Sequence, residues 1–209
     1  MVVNTEARRV PRQSRGWRRV DALLDAAASE ISAVGYQSAT MSAIAARAGA
    51  PIGSLYQFYP SKLAIAQALR ARYAEQFEQL WAPLVDEARH LTLEELANRL
   101  VDSTIFFIKS HPAFLALIDV SPSAEVSIAV REKFQQLVAG FLIAHKPRMS
   151  HTKALRLATV ILHMVKSRNF LFRNLSPNES RPYIQEFKIL LRCYLEARMH
   201  SDQRSGGCL

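Results

Sequence analysis

Cysteine is scarce: Cys193 and Cys208 are the only two among 209 residues. One falls in a helical pattern and the other in a Gly-Gly-Cys-Leu tail. Such a pair supplies neither a disulfide framework nor a zinc site, and it suits a reducing cytoplasm. The six histidines never fall at a ligand spacing such as His-x-x-x-His, so no metal is expected, and nothing points to a cofactor. With 7 glycines the chain is neither collagen-like nor low-complexity. No apolar run reaches the ~18 residues that span a bilayer. The N-terminal arginines lead into no apolar segment of the kind a secretory signal needs, and the final Cys-Leu is not a prenylation box. No stretch alternates polar and apolar residues between turn signals as a strand does. There is no Gly-x-Ser-x-Gly elbow, no phosphate-cradling glycine loop and no suggestive Cys-His pair, which leaves an enzyme with little support.

What is present is positive charge and helical periodicity. The formal net charge is +9 and the isoelectric point about 9.9. That balance favours an acidic partner, either nucleic acid or an anionic membrane surface, and charge alone does not choose between them. Six arginines lie between positions 8 and 19. Residues 1–16 show no helical spacing and read as a mobile basic arm. From Trp17 apolar residues recur at helical intervals: Val20, Leu23, Leu24, Ala27, Ile31 and Val34, with Gly35 as the stop. Thr40 is a candidate cap for a short helix over 41–48, which Gly49 ends. A third short helix is expected over 52–58. A fourth follows Ser61 with Ala66, Leu69, Tyr73, Phe77 and Leu80 on one face, and Pro83 is taken as its end.

Beyond it, Thr92 and Glu95 form a capping box before Leu96, Leu100, Thr104 and Phe107. His111-Pro112 breaks that helix, and a short segment over 112–119 follows. Ser-Pro-Ser at 121–123 opens the next helix, which carries Val130, Phe134, Leu137, Val138 and Phe141. Pro147 closes it. Ser150 caps another with Leu155, Ala158, Ile161, Leu162 and Val165, ended by Ser176-Pro177. The last helix bears Tyr183, Phe187, Leu190, Leu191, Tyr194 and Leu195. The fold class is therefore all-α, with about nine helices.

The stretch 40–59 carries the most chemistry. A helix-turn-helix needs a small residue where its second helix crosses the first, a glycine in the turn, and apolar residues that fasten the second helix from beneath. Ala45, Gly49 and the set Ile44, Ala48, Ala50, Leu55 and Phe58 meet these demands. At about 100° per residue, Leu55 and Phe58 share the inner face of the third helix. Gly53 and Gln57 lie opposite, with Ser54 and Tyr56 on the shoulders. Such a helix can enter a major groove with its N-terminal end against the bases, while Tyr56 and Lys62 reach phosphates. The same pattern also fits two core helices joined by an ordinary glycine turn.

These residues resemble the TetR-type transcriptional regulators across roughly residues 17–80. Thr40, Ile44-Ala45, Ala48-Gly49-Ala50, Leu55-Tyr56-Gln57-Phe58-Tyr59 and Lys62 carry the resemblance. It implies an N-terminal three-helix DNA-binding domain over 17–62, a larger helical regulatory and dimerisation domain over 63–201, and a flexible tail over 202–209. It implies a cytoplasmic, nucleoid-associated bacterial homodimer that binds a near-palindromic double-stranded DNA operator as a repressor and is released by a small-molecule effector. Carried over, Thr40 contacts phosphate; Pro51, Ile52, Gly53 and Ser54 face base edges; Tyr56 and Lys62 hold the backbone. Gln57, Tyr59, Arg15 and Arg18 complete the expected DNA-binding set.

Two positions depart from the family pattern. Pro51 stands where a capping Ser or Thr is usual, and Ile52 where a polar residue is common. Ser54 and Gln57 remain as polar side chains able to read bases, so the arginine arm is a candidate for minor-groove contact, against a diffuse electrostatic role.

Eight of the ten phenylalanines lie between 106 and 187. Phe107, Phe114, Phe134, Phe141 and Phe170 are candidates to line an apolar effector site, with His163 and Lys166 as its polar groups; core packing explains the same residues. The last two helices have apolar faces broad enough to pair across a twofold axis, a pattern that intramolecular packing also needs. Besides the regulator and the enzyme, a basic helical module for an anionic membrane or a protein partner remains open. It would bind anionic vesicles and ignore DNA sequence.

Overall fold

Capping side chains start several of the helices, and glycine or proline ends or interrupts others. The computed structural model describes residues 14–117, 120, 125–172 and 175–199; of residues 14–17, 125–127, 165–172 and 177 only the backbone is described. Among them are nine α-helices and no strand. They are α1 (Ser14–Ser38), α2 (Met41–Arg47), α3 (Ile52–Phe58), α4 (Lys62–Glu87), α5 (Leu93–Ser110), α6 (Ala113–Leu117), α7 (Glu125–His145), α8 (His151–Phe172) and α9 (Pro177–Met199). A 3-10 turn over Ala88–His90 follows α4. The all-α class is as expected, with a helix-turn-helix at the N-terminal end and a helical C-terminal region.

Thr40 Oγ1 accepts from the Ala43 N–H at 3.1 Å, Ser61 Oγ from Ala64 at 3.1 Å and Ser150 Oγ from Lys153 at 3.3 Å. Each satisfies an amide that the first helical turn leaves without an intrahelical acceptor. Thr92 and Glu95 form the reciprocal box in front of α5. Ser176 and Glu179 do the same for α9. A linear reading of Ser176-Pro177 as a stop hides that second box; Pro at the first helical position is a start signal. Gly35 has φ 79°, a conformation glycine adopts without the Cβ clash of other residues, and it kinks α1 just before its last residues.

Three expectations need correction. Helix α1 begins at Ser14 rather than Trp17, so the arm's last residues are helical. Pro83 does not end α4, which continues to Glu87. Proline removes one ladder bond, and a long packed helix tolerates that loss. Val34 is 48% exposed although it continues the apolar face of α1. Periodicity tells which side of a helix is apolar, not how far along that side its neighbours reach. The Ser-Pro-Ser opening at 121–123 lies outside the described residues.

The chain divides into two compact units. One takes in the chain up to Glu75 together with Ile108–Val130; the other takes in Gln76–Phe107 and the chain from Arg131. In the first, Val20, Leu23, Leu24, Ala27 and Ile31 of α1 are buried, as are Ile44 and Ala45 of α2, Leu55 of α3, Ile65, Ala66, Leu69 and Tyr73 of α4, and Ala113 and Leu117 of α6. Helix α6 packs on α1, which is why a segment distant in sequence joins this unit. In the second, the Phe77 ring lies 4.9 Å from Phe107, 5.0 Å from Phe134 and 4.8 Å from Trp81, and Trp81 lies 5.4 Å from Phe141. Offset and edge-on rings at these spacings add to the burial of their large apolar area.

Candidate nucleic-acid interface

Helix α2 ends where Gly49, at φ 58°, turns the chain through the left-handed region. The Ala50 N–H donates back to Ala45 O at 3.0 Å and Gly49 N–H to Ala46 O at 3.1 Å, closing α2 within the turn. Pro51 then opens α3 with no side-chain cap. Its carbonyl accepts from Ser54 N–H at 2.9 Å and Leu55 N–H at 3.3 Å. Ile44, Ala45 and Leu55 are buried to 2% exposure or less and fasten the pair from beneath. On the other side Pro51, Ile52, Gly53, Tyr56 and Gln57 are exposed and Ser54 is half-buried. A Cβ added at Gly53 would meet nothing within 4 Å, so packing does not demand glycine there. The bare backbone at Gly53 instead allows close approach of an external surface.

Two ion pairs of the first unit hold α1 to its neighbours, one of them to α2 of this motif. Arg47, in the last turn of α2, donates from Nε and Nη2 to Glu30 Oε2 at 3.0 and 2.8 Å, and from Nη1 to Ser29 Oγ at 3.2 Å. Glu30 is only 9% exposed, and a buried carboxylate needs such a partner. Arg72 of α4 pairs with Asp25 of α1 at 2.7 Å.

A family model for the bacterial regulatory proteins of the TetR family matches residues 23–69, and a tetracyclin repressor-like C-terminal domain model matches residues 92–195. The chain belongs to the TetR family. A TetR-family transcriptional regulator from Streptomyces coelicolor is 26% identical, with a TM-score of 0.66 over 86% of this chain and 98% of that one. The multidrug binding protein EbrR, solved with ethidium, shares the fold at 19% identity and a TM-score of 0.62, covering 83% of this chain and 97% of its own. So does the transcriptional regulator FadR from Bacillus subtilis, solved with stearoyl-CoA, at 15% identity and a TM-score of 0.60, covering 82% and 97%. No curated protein matches the chain.

As a TetR-family member the chain is a DNA-binding transcriptional regulator, and its expected contact residues fall into three groups. Thr40, Pro51, Ile52, Gly53, Tyr56 and Gln57 are exposed, with Ser54 beside them. Arg18 is exposed on α1, while the Arg15 side chain and the arginines at 8, 9 and 12 lie outside what is described. Tyr59 and Lys62 are placed differently from the rest of the expected set. Tyr59 is 1% exposed and belongs to the core, because it follows the end of α3, where the chain turns inward. A side chain so placed cannot touch DNA. The Lys62 ammonium is engaged within the protein: Nζ donates to the carbonyls of Tyr36, Gln37 and Ala39 at 2.8, 2.8 and 2.9 Å. It also sits 4.8 Å from the centre of the Tyr36 ring. An ammonium has three N–H donors, and all three are used.

Sequence reasoning missed Glu30, Arg47 and the Lys62 acceptors. Opposite charges 17 positions apart carry no local spacing signal, and backbone carbonyls carry no residue identity at all. Of the expected effector residues, Phe107 and Phe141 are buried, and Phe114 and Phe134 are half-buried. Phe107, Phe134 and Phe141 join the ring cluster of the second unit, whereas Phe114 meets Tyr73 in the first, at 5.9 Å. His163 is exposed rather than a core histidine, and the side chains of Lys166 and Phe170 lie outside the described set.

Proposed function

We propose that this regulator is a homodimeric repressor that reads a near-palindromic operator through α3 and leaves it when a small, largely apolar molecule binds the C-terminal region. The carrying observation is the two-sidedness of α3: Leu55 is fully buried while Ile52 and Tyr56 on the outer side are 42% and 49% exposed. Pro51, Ile52 and Gly53 offer shape and apolar contact, for instance to a thymine methyl, and Ser54 and Gln57 offer hydrogen bonds to base edges. Thr40 and Tyr56 flank them and serve phosphates.

Dimerisation is supported by α9. Tyr183, Phe187, Leu190 and Tyr194 recur at i, i+4, i+7 and i+11. Tyr183 and Leu190 are 55% and 51% exposed, while Leu191, Leu195 and Met199 fill the core. An apolar stripe beside a separate core face suits a second copy of the chain. An apolar effector is supported by the rings around Phe77 and by Trp81, whose buried Nε1–H has no acceptor among the described residues. EbrR, solved with ethidium, and FadR, solved with stearoyl-CoA, are proteins of this fold that hold molecules with a large apolar part.

Selection of bound fragments from random DNA tests the reading. It should enrich one motif with two inverted half-sites, bound by a protein that sediments as a dimer. A compound screen should then find molecules that release it. Binding to anionic vesicles with no preference among DNA sequences would overturn the reading in favour of a membrane-surface module.

A further inference from the structure

Lys62 stands at the first position of α4, and its contacts reach back 23 to 26 residues, to the last residues of α1 and the start of the connection to α2. The three carbonyls it holds belong to Tyr36, Gln37 and Ala39. They follow the Gly35 kink, where the chain has left the regular ladder of α1 and carbonyls lose their intrahelical donors. A cation is favoured at such a helix end. The next residue, Thr40, caps α2, and α2 leads through Gly49 into α3. Lys62 therefore ties the chain just beyond α3 to the chain just before α2. The helix-turn-helix is closed at its two ends by one ammonium.

We propose that Lys62 is a positioning residue for DNA recognition, whose ammonium holds the end of α1 where it passes into α2 and thereby sets the placement of α3, and that it makes no phosphate contact. The proposal rests on the reading that α3 enters the operator. Phosphate contact and positioning differ in what they predict. Losing a phosphate contact weakens binding to all DNA alike and lowers the salt dependence by about one counterion. Losing the placement of α3 harms the specific complex, where base contacts need register, and leaves the electrostatic attraction of the surface in place.

The test uses the full-length protein with Lys62→Met and Lys62→Arg, measuring affinity for the selected operator and for random-sequence duplex across a salt series, with thermal unfolding of each variant. Lys62→Met should lose about tenfold or more in operator affinity, as expected when a charged hydrogen-bonding hub is removed. Its affinity for random duplex and its salt slope there should match wild type. Lys62→Arg keeps the charge but not an ammonium that three carbonyls can surround, so it should fail to restore operator affinity. It also keeps the comparison usable should Lys62→Met not fold. Equal losses on both DNAs with a slope smaller by about one, restored by arginine, would overturn the proposal in favour of a phosphate contact. A lowered melting temperature with operator affinity of the folded protein unchanged would overturn it too, as a purely structural role. Wild-type protein with no sequence preference would instead sink the operator reading, and the proposal with it.

Discussion

The two units bury side chains of different kinds around different demands. In the first, small residues and aliphatics such as Ala45, Ile44 and Leu55 let short helices cross closely, and ion pairs from Glu30–Arg47 and Arg72–Asp25 tie α1 to its neighbours. In the second, long helices meet through large rings, with Phe77, Trp81, Phe107, Phe134 and Phe141 in contact. Short helices have little intrinsic stability, so a motif of two seven-residue helices needs external bracing. Long helices carry their own ladders and can leave their packing to bulky, adjustable side chains. The first arrangement holds one surface in register; the second fills its core with rings in mutual contact.

Core truncations probe this difference most strongly. Leu55→Ala and Phe107→Ala should each cost about 3 kcal/mol or more in denaturant unfolding, since each deletes a fully packed side chain. Operator binding should separate them. Leu55→Ala should abolish it by releasing α3, whereas Phe107→Ala should keep it in the folded fraction and change only the response to effector. If both lost DNA binding equally, the division of labour between the units would be wrong.

Glu30→Ala comes next, at about 1–2 kcal/mol, because Arg47 is 43% exposed and can turn to water once its partner is gone. Denaturant titration reads that cost, and a retardation assay should show weaker operator binding as α2 loosens. A fluorescent probe on α3 that reports no added motion in this variant would count against the bracing role.

Acid should weaken two caps of the second unit. Hydrogen bonds from Thr92 hold the Glu95 carboxyl below its ordinary value of 4.5, and those from Ser176 do the same for Glu179. A carboxylate with a depressed folded pKa adds stability above its unfolded value and loses it as pH falls through the folded one. Stability should therefore decline below about pH 4.5. Thr92→Ala should remove the part due to Glu95, visible as a shallower acid limb in a melting-temperature series, while Thr40→Ala in the first unit should leave the limb's shape unchanged.

The smallest effect on folding belongs to Gly53→Ala. A Cβ there meets open space, and alanine is the better helix former, so stability should rise by about 0.5–1 kcal/mol. Operator affinity should nevertheless fall, since the added methyl stands between α3 and the DNA. Unchanged affinity would show that Gly53 does not face the groove.

Much of the molecule was legible before its structure. Helix count, the Thr40, Thr92 and Ser150 caps, the Gly49 turn and the Leu55 anchor all follow from short-range chemistry. The site was legible where it depends on one helix's periodicity: Pro51, Ile52, Gly53, Tyr56 and Gln57 are exposed as the wheel requires. It was not legible at Tyr59 and Lys62. Both follow the end of α3, where periodicity stops and the path of the chain decides. An aromatic and a cation beside a DNA-facing helix look like backbone contacts in a linear reading, and the return of the chain toward α1 turns one into core and the other into a clamp.

Local chemistry along the chain sets most of the elements, the turn and the family resemblance, because caps, glycine conformations and apolar spacing act over a few residues and need no knowledge of neighbours. Which charges brace the fold is settled by tertiary contact alone. An ammonium binds whichever acceptors lie within its reach, and the acceptors of Lys62 are peptide carbonyls more than twenty residues away. Every residue possesses such carbonyls, so no residue pattern could announce them.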